Sequence, residues 1–113
     1  MLSPGPAIKV TIYLNEDTSA AHDFLFHEIF SFLYSHGVAG ATLHRPQAGF
    51  GSHHHLHSEE MSPHSHMPVR IQFVETRAVV DALMPALCEL ITDGLIEAHE
   101  TMVIKAVARQ EPV

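Results

Sequence analysis

The sequence predicts an α+β fold in one domain, with four strands and two helices in the order β-α-β-β-α-β. Apolar and polar residues alternate over four segments, as they do in strands that bury one face. Apolar residues recur at helical spacing over two further segments. A chain of 113 residues is long enough for one hydrophobic core but too short for two independently folded units. We therefore expect residues 1–113 to form a single domain.

The first strand and the first helix are predicted from residues 7–36. Residues 7–14 alternate strictly, so one face of the strand carries only apolar side chains, namely Ile8, Val10, Ile12 and Leu14. A turn-rich segment follows and offers a helix N-cap at Asp17, Thr18 or Ser19. The apolar stripe of the predicted helix then consists of Phe24, Leu25, Ile29, Phe32 and Leu33, and His36-Gly37 ends it.

A second strand and a long loop follow. Residues 38–45 have an extended pattern, which Pro46 and the glycines of Gly49-Phe50-Gly51 interrupt. Residues 52–68 show little periodicity and are rich in His, Ser, Glu, Met and Pro. A loop of this length in a compact domain is usually functional or disordered.

The second half of the chain repeats the strand, helix, strand order. Residues 69–74 alternate, Thr76 is a plausible N-cap, and a helical apolar stripe follows, formed by Val79, Val80, Leu83, Leu87, Leu90 and Ile91. Pro85 is expected to kink or split this helix. Asp93-Gly94 ends it, and residues 95–107 are predicted to form the last strand.

This order is that of the ferredoxin-like fold, in which both helices cover one face of a four-stranded antiparallel sheet. The uncovered side, called here the open face, would carry mixed side chains: Lys9, Thr11, Tyr13, Thr42, His44, Arg70, Gln72, Glu97, His99, Thr101 and Val103. Such a face either contacts water or packs in a hydrated interface between subunits. The sequence leaves both arrangements open.

Charge excludes several classes of partner. Six Lys and Arg residues against thirteen Asp and Glu give a formal net charge of -7, which repels nucleic acids and anionic lipids. Tyr13 is the one aromatic candidate for base stacking on the predicted open face, so an RNA-binding role is also disfavoured. No apolar run reaches the roughly 18 residues that a transmembrane helix needs. We expect neither a nucleic-acid partner nor direct insertion into a membrane.

The N-terminal residues and the single cysteine bear on where the protein is located, and the lack of a catalytic motif bears on whether it is an enzyme. Residues 1–6 lack the basic and apolar parts of a signal peptide, and a single cysteine cannot form an intramolecular disulfide, so a cytoplasmic protein is expected. Cys88 lies among apolar residues of the second helix, which predicts a small buried side chain. No nucleophile with a base, and no separated carboxylate pair, forms a recognisable motif, so we do not expect an enzyme.

Six of the eleven histidines cluster in the predicted loop: His53, His54, His55, His57, His64 and His66. Neutral imidazoles bind zinc, nickel or copper, and the nearby thioethers of Met61 and Met67 would favour Cu(I). The spacing matches no closed structural metal motif. The alternative is a solvated segment whose histidines bind metal only weakly.

A ligand site is predicted just before this cluster. Gly49 and Gly51 would allow the backbone to approach an anion, and Arg45 lies close enough in the sequence to pair with it. Loop flexibility is the alternative reason for the two glycines. Gly-x-Gly alone is a weak motif. The prediction of a ligand site therefore rests mainly on a resemblance to a known family, and its residues are Arg45, Gly49, Phe50 and Gly51.

The residues that carry this resemblance span about 9–104. They are His36-Gly37-Val38-Ala39-Gly40-Ala41-Thr42, Arg45, Gly49-Phe50-Gly51, His57-Ser58, Met67-Pro68-Val69, Leu83-Met84-Pro85 and Asp93-Gly94-Leu95-Ile96. With these motifs the chain resembles the PII-like family known as domain of unknown function 190. The resemblance implies a PII-type homotrimer with ligand sites in the clefts between subunits. It also implies a flexible loop after the second strand that reaches a partner.

The resemblance further implies a regulator rather than a catalyst, with a membrane transporter or channel as the partner to suspect. The chain departs from the family pattern in its histidine-rich loop. It also has only Thr92-Asp93-Gly94 where true PII proteins have a glycine-rich, lysine-bearing phosphate loop before the last strand, which makes nucleotide binding doubtful.

Two functions are therefore compared. The first is a PII-like signalling protein that senses an anion, a nucleotide or a metal ion in a cleft between subunits and acts through its loop. The alternative is a transition-metal-binding or metal-buffering protein that uses the histidine-rich loop.

The metal alternative makes a prediction of its own. Because imidazole binds metal only when neutral, metal affinity should fall as the pH drops through about 6.5, and metal addition should release protons. A specific site should bind a fixed number of metal ions per chain and protect residues 52–67 from protease. His64→Ala combined with His66→Ala should remove that protection. Graded binding in calorimetry, without a defined stoichiometry, would contradict a specific site.

Overall fold

The computed structural model describes residues 2–46, 48–50, 57–58 and 67–109. In these residues the elements are β1 (Gly5–Asn15), α1 (Leu25–Ser35), β2 (Ala41–His44), β3 (Ala48–Gly49), β4 (His57–Ser58), β5 (Pro68–Glu75), α2 (Arg77–Leu90) and β6 (Leu95–Val103). Four strands form one sheet in the order β2-β5-β1-β6, and all neighbours are antiparallel. The predicted ferredoxin-like α+β fold is confirmed.

The core lies between the helices and one face of this sheet. β1 pairs with β5 along one edge and with β6 along the other, so that Val10 lies opposite Phe73 and Ala98. The buried cluster joins the apolar face of β1 and β5 to both helices: Ile8, Val10, Ile12, Leu14, Leu25, Ile29, Leu33, Val69, Ile71, Phe73, Val80, Leu83 and Leu87. Both helices therefore cover the same face, and the opposite face is the open face predicted from alternation.

The two helix starts differ in how well they were predicted. Thr76 caps α2 as expected, because its Oγ1 accepts a hydrogen bond from the Val79 N–H at 3.3 Å. α1 begins only after Phe24, so the prediction of an N-cap at Asp17, Thr18 or Ser19 is wrong. Backbone bonds close the preceding segment into a turn, with the Leu25 N–H donating to the Thr18 carbonyl at 2.7 Å. Phe24 consequently lies outside the core and is 45% exposed.

Several element bounds also differ from the prediction. β2 and β6 are shorter than expected, and α2 continues through Pro85 without being split. Pro85 lies on the exposed side of α2, where the carbonyl that loses its partner is accessible to water. Cys88 is exposed rather than buried, since it follows the buried Leu87 by one step around the helix. Within the described ranges, no helix is long and apolar enough to cross a membrane.

A short antiparallel pair joins the residues just before the predicted loop to residues inside it. β3 and β4 pair Ala48 with Ser58 and Gly49 with His57. This pairing brings the entry of the loop next to its middle. Of the loop predicted at residues 52–68, residues 52–56 and 59–66 lie outside the described part of the chain, and Pro68 already belongs to β5.

The turn before β6 depends on Gly94. Its φ is +141°, and a Cβ there would collide with the Tyr13 carbonyl oxygen. Gly94→Ala should destabilise the fold by about 2 kcal/mol or more, because strain in this region of φ adds to the collision. Gly40→Ala is the matched control, since a Cβ at Gly40 would meet nothing within 4 Å. Its effect should stay below about 1 kcal/mol. Urea unfolding measures both, and equal effects would contradict this account of Gly94.

Candidate functional site

A cleft opens at the end of the sheet, where β2 stops and β5 begins. Its volume is about 520 Å³, and it is lined by Tyr13, Leu43, His44, Arg45, Pro46, Pro68, Val69 and Arg70. We call it the Arg45–Arg70 cleft. It lies at the base of the segment that connects β2 to β5, because Pro46 precedes that segment and Pro68 follows it. A ligand in this cleft would contact both ends of the segment.

Strand register builds one wall of the cleft. Arg70 on β5 lies directly opposite Tyr13 on β1 and directly opposite His44 on β2. The three side chains form a row across three neighbouring strands, and since residues paired in this way point to the same side of a sheet, all three lie on the open face. The row places a phenol, a guanidinium and an imidazole along a single edge of the cleft.

Arg45 adds a second guanidinium from the end of β2 and is paired with Glu16. Its Nε donates to Glu16 Oε1 at 2.7 Å, and its Nη2 contacts the same oxygen. The hydrogen bond from Arg45 to Glu16 raises the pKa of the Arg45 guanidinium, which stays charged throughout the physiological range. Among the described residues, no carboxylate forms an ion pair with Arg70. Within the described residues, Arg70 is therefore the cleft cation without a carboxylate partner.

The Tyr13 hydroxyl is bound to a carboxylate on β6. Its hydroxyl donates to Glu97 Oε1 at 2.9 Å, and His99 Nε2 lies 3.3 Å from the same oxygen. The hydrogen bond to Glu97 raises the pKa of Tyr13, whereas the hydrogen bonds from Tyr13 and His99 lower the pKa of Glu97. The phenol proton is thus held by Glu97. Positive charge in the cleft comes from the two arginines.

The predicted ligand residues are only partly brought together. Arg45 lines the cleft, Gly49 lies in β3, and Phe50 is 60% exposed beside it. Gly51 lies outside the described residues. The sequence pattern places Tyr13, His44 and Arg70 on the open face but does not show that they form a site. Their alternation was visible in the sequence, whereas their alignment requires the register between β1, β2 and β5.

The predicted metal ligands fall almost entirely outside the described residues. Five of them lie outside the described residues: His53, His54, His55, His64 and His66. For His57 the structure gives only its place in β4. Met67 is described and is 4% exposed, so it packs in the interior and is not an accessible Cu(I) ligand. In the described part of the chain, no group of three or more His, Cys, Asp or Glu residues is arranged to hold a metal ion.

Residues 7–103 match the model of the DUF190 family, which is described as "Uncharacterized ACR". The chain belongs to this family. The match begins at Ala7, two residues into β1, and covers the rest of the main sheet, both helices and the described residues that line the Arg45–Arg70 cleft. The family resemblance that the sequence motifs suggested is confirmed.

Solved structures of PII-like proteins share the fold of this DUF190 chain. One is CPII, a nitrogen regulatory PII-like protein from Thiomonas intermedia K12 bound to ADP, AMP and bicarbonate, with a TM-score of 0.62 and 19% identity over 92% of this chain and 99% of that one. Another is a PII-like signalling protein from Thermus thermophilus, with a TM-score of 0.67 and 15% identity over 91% of this chain and 94% of that one. At these identities the likeness shows a PII-like fold.

Proposed function

We propose that this DUF190 protein is a PII-like regulator that binds a small anionic effector in the Arg45–Arg70 cleft. In this proposal the effector changes how the segment between β2 and β5 contacts a partner protein. The action is binding rather than catalysis. The observation that carries the proposal is the meeting of two arginines in one cleft at the base of that segment, in a chain whose net charge is -7.

The chemistry of the cleft favours an anion. Guanidinium groups bind carboxylate, bicarbonate and phosphate oxygens through paired N–H donors. Arg70 supplies such donors from a strand, which positions them more firmly than a loop would. His44 adds a nitrogen in the same row, and its Nε2 lies 3.1 Å from Thr42 Oγ1. Gly49, Phe50 and Gly51 are proposed to complete the site from the entry of the connecting segment.

The PII-like relatives narrow the kind of anion to test. CPII was solved with ADP, AMP and bicarbonate. We therefore propose bicarbonate, a simple carboxylate or the phosphate end of a nucleotide as the effector of this chain. The absence of a glycine-rich, lysine-bearing sequence before β6 argues against a full nucleotide site of the true PII type.

For assembly and partner we propose a homotrimer that packs its open face against neighbouring subunits. The support for this packing is the family resemblance together with the core, which places both helices on the other face of the sheet and leaves the open face uncovered by them. The proposed partner is the class that the family resemblance implies, a membrane transporter or channel contacted from the cytoplasm.

The effector site makes a prediction about three arginines. Arg70→Ala and Arg45→Ala should each weaken binding of bicarbonate or AMP by about 10-fold or more, because a charge-assisted hydrogen bond is lost in each. Arg77→Ala is the matched control, since Arg77 lies near the β6 edge, where it pairs with Glu100 at 3.3 Å. Titration calorimetry at low ionic strength measures all three affinities. Equal affinity in all three variants and the unmodified protein would place the site elsewhere.

The trimer makes a separate prediction, tested with two neighbouring residues on opposite sides of β6. Val103→Asp should dissociate the assembly at micromolar concentration, because an unpaired carboxylate would become buried in the interface. Met102→Asp should leave it intact, since Met102 lies on the helix side of β6 and is exposed. Light scattering should give three times the mass of one chain for the unmodified protein and for Met102→Asp. A monomeric unmodified protein would refute the trimer.

A further inference from the structure

We propose that Glu16 is a specificity-determining residue of the Arg45–Arg70 cleft, which by neutralising Arg45 reduces the advantage that a doubly charged effector has over a singly charged one. This inference rests on the proposed function, because it concerns which anion the same cleft accepts. Glu16 does not line the cleft itself. It acts through Arg45.

The pairing of Glu16 with Arg45 is built into the fold. Glu16 directly follows β1, and its backbone N–H donates to the Met67 carbonyl at 2.8 Å. The Thr18 N–H donates to the Asn15 carbonyl at 3.2 Å and closes a turn around Glu16. The Glu16 side chain is 22% exposed, so the pair is partly removed from water. A carboxylate held in this way keeps its place, unlike one in a freely exposed surface pair.

Counting charges near the cleft gives the selectivity. Arg45 and Arg70 contribute two positive charges, and Glu16 removes one of them. Glu97 lies beyond Tyr13 on β6, where it accepts a hydrogen bond from the Tyr13 hydroxyl, and its charge is the same in every variant compared. The arginines and Glu16 together therefore leave one net positive charge in place of two. A dianion meets twice the attraction of a monoanion from the arginines and twice its repulsion from Glu16, so the presence of Glu16 costs a dianion twice as much binding energy as a monoanion.

The scaling of Coulomb energy with charge makes this inference testable. Replacing Glu16 by Gln removes one negative charge while keeping the shape of the side chain. The energy gained by a dianion should be twice that gained by a monoanion, so its affinity should increase by the square of the factor for the monoanion. If acetate binds about 5-fold more tightly to Glu16→Gln, sulfate should bind about 25-fold more tightly.

The experiment measures acetate and sulfate affinities by calorimetry for the unmodified protein and three variants. Glu16→Gln should shift selectivity towards sulfate, and the shift should shrink as salt rises from about 0.01 M to 0.5 M because salt screens the charge. Glu16→Asp keeps the charge and should stay close to the unmodified selectivity. Glu100→Gln is the control for overall charge, since Glu100 pairs with Arg77 on the β6 side of the sheet and should not alter the ratio.

The outcomes separate this inference from the proposed function. Equal increases for acetate and sulfate, or a loss of both, would show that Glu16 only positions Arg45, and the inference would be overturned while anion binding stands. If neither the unmodified protein nor Glu16→Gln binds either anion, the proposed function fails and the inference fails with it. A larger increase for sulfate in Glu16→Gln, absent in Glu100→Gln, supports both.

Discussion

The fold and the cleft both depend on the position of β1 in the centre of the sheet. β1 is hydrogen-bonded along both edges, and alternate residues of it enter the core. A shift of one residue in its register would exchange the buried face for the open face, so the burial of four aliphatic side chains fixes the register strongly. The same register fixes Tyr13 opposite Arg70 and places Glu16 immediately beyond the strand end. The geometry of the cleft is thus set by packing on the other side of the sheet.

The sequence predicted the fold well because the information needed was local. Alternation in residues 7–14 and 69–74, and the Thr76 cap, required no knowledge of long-range pairing. The site was less predictable because Tyr13, His44 and Arg70 come from three separate strands, and only cross-strand register shows that they meet. The start of α1 was wrong for a related reason. The Thr18 carbonyl accepts from the Leu25 N–H, a turn that the local preference for N-caps does not reveal.

Electrostatics acts on two length scales in this molecule. The net charge of -7 repels any anion at long range, whereas the two arginines attract it within the cleft. Added salt screens both contributions, and at physiological ionic strength the Debye length is about 8 Å, shorter than the distance across the domain. Short-range contacts in the cleft must therefore supply most of the affinity. In the proposed function, anion affinity therefore depends on the local arrangement of Arg45, Arg70 and Glu16 rather than on the overall charge.

Glu16 also connects the cleft to the segment whose partner contacts are proposed to change. Its side chain holds Arg45 just before that segment, and its backbone N–H holds Met67 just after it. Met67 is buried, so the exit of the segment is fixed to the core, while Arg45 at the entry is held mainly by its ion pair. An anion that competes for Arg45 would therefore act on the less firmly held of the two ends. A ligand shifts a conformational equilibrium only when it binds the two conformations with different affinities. In this protein the two conformations would differ in whether Arg45 is paired with Glu16, so the affinity for the anion would differ at that contact.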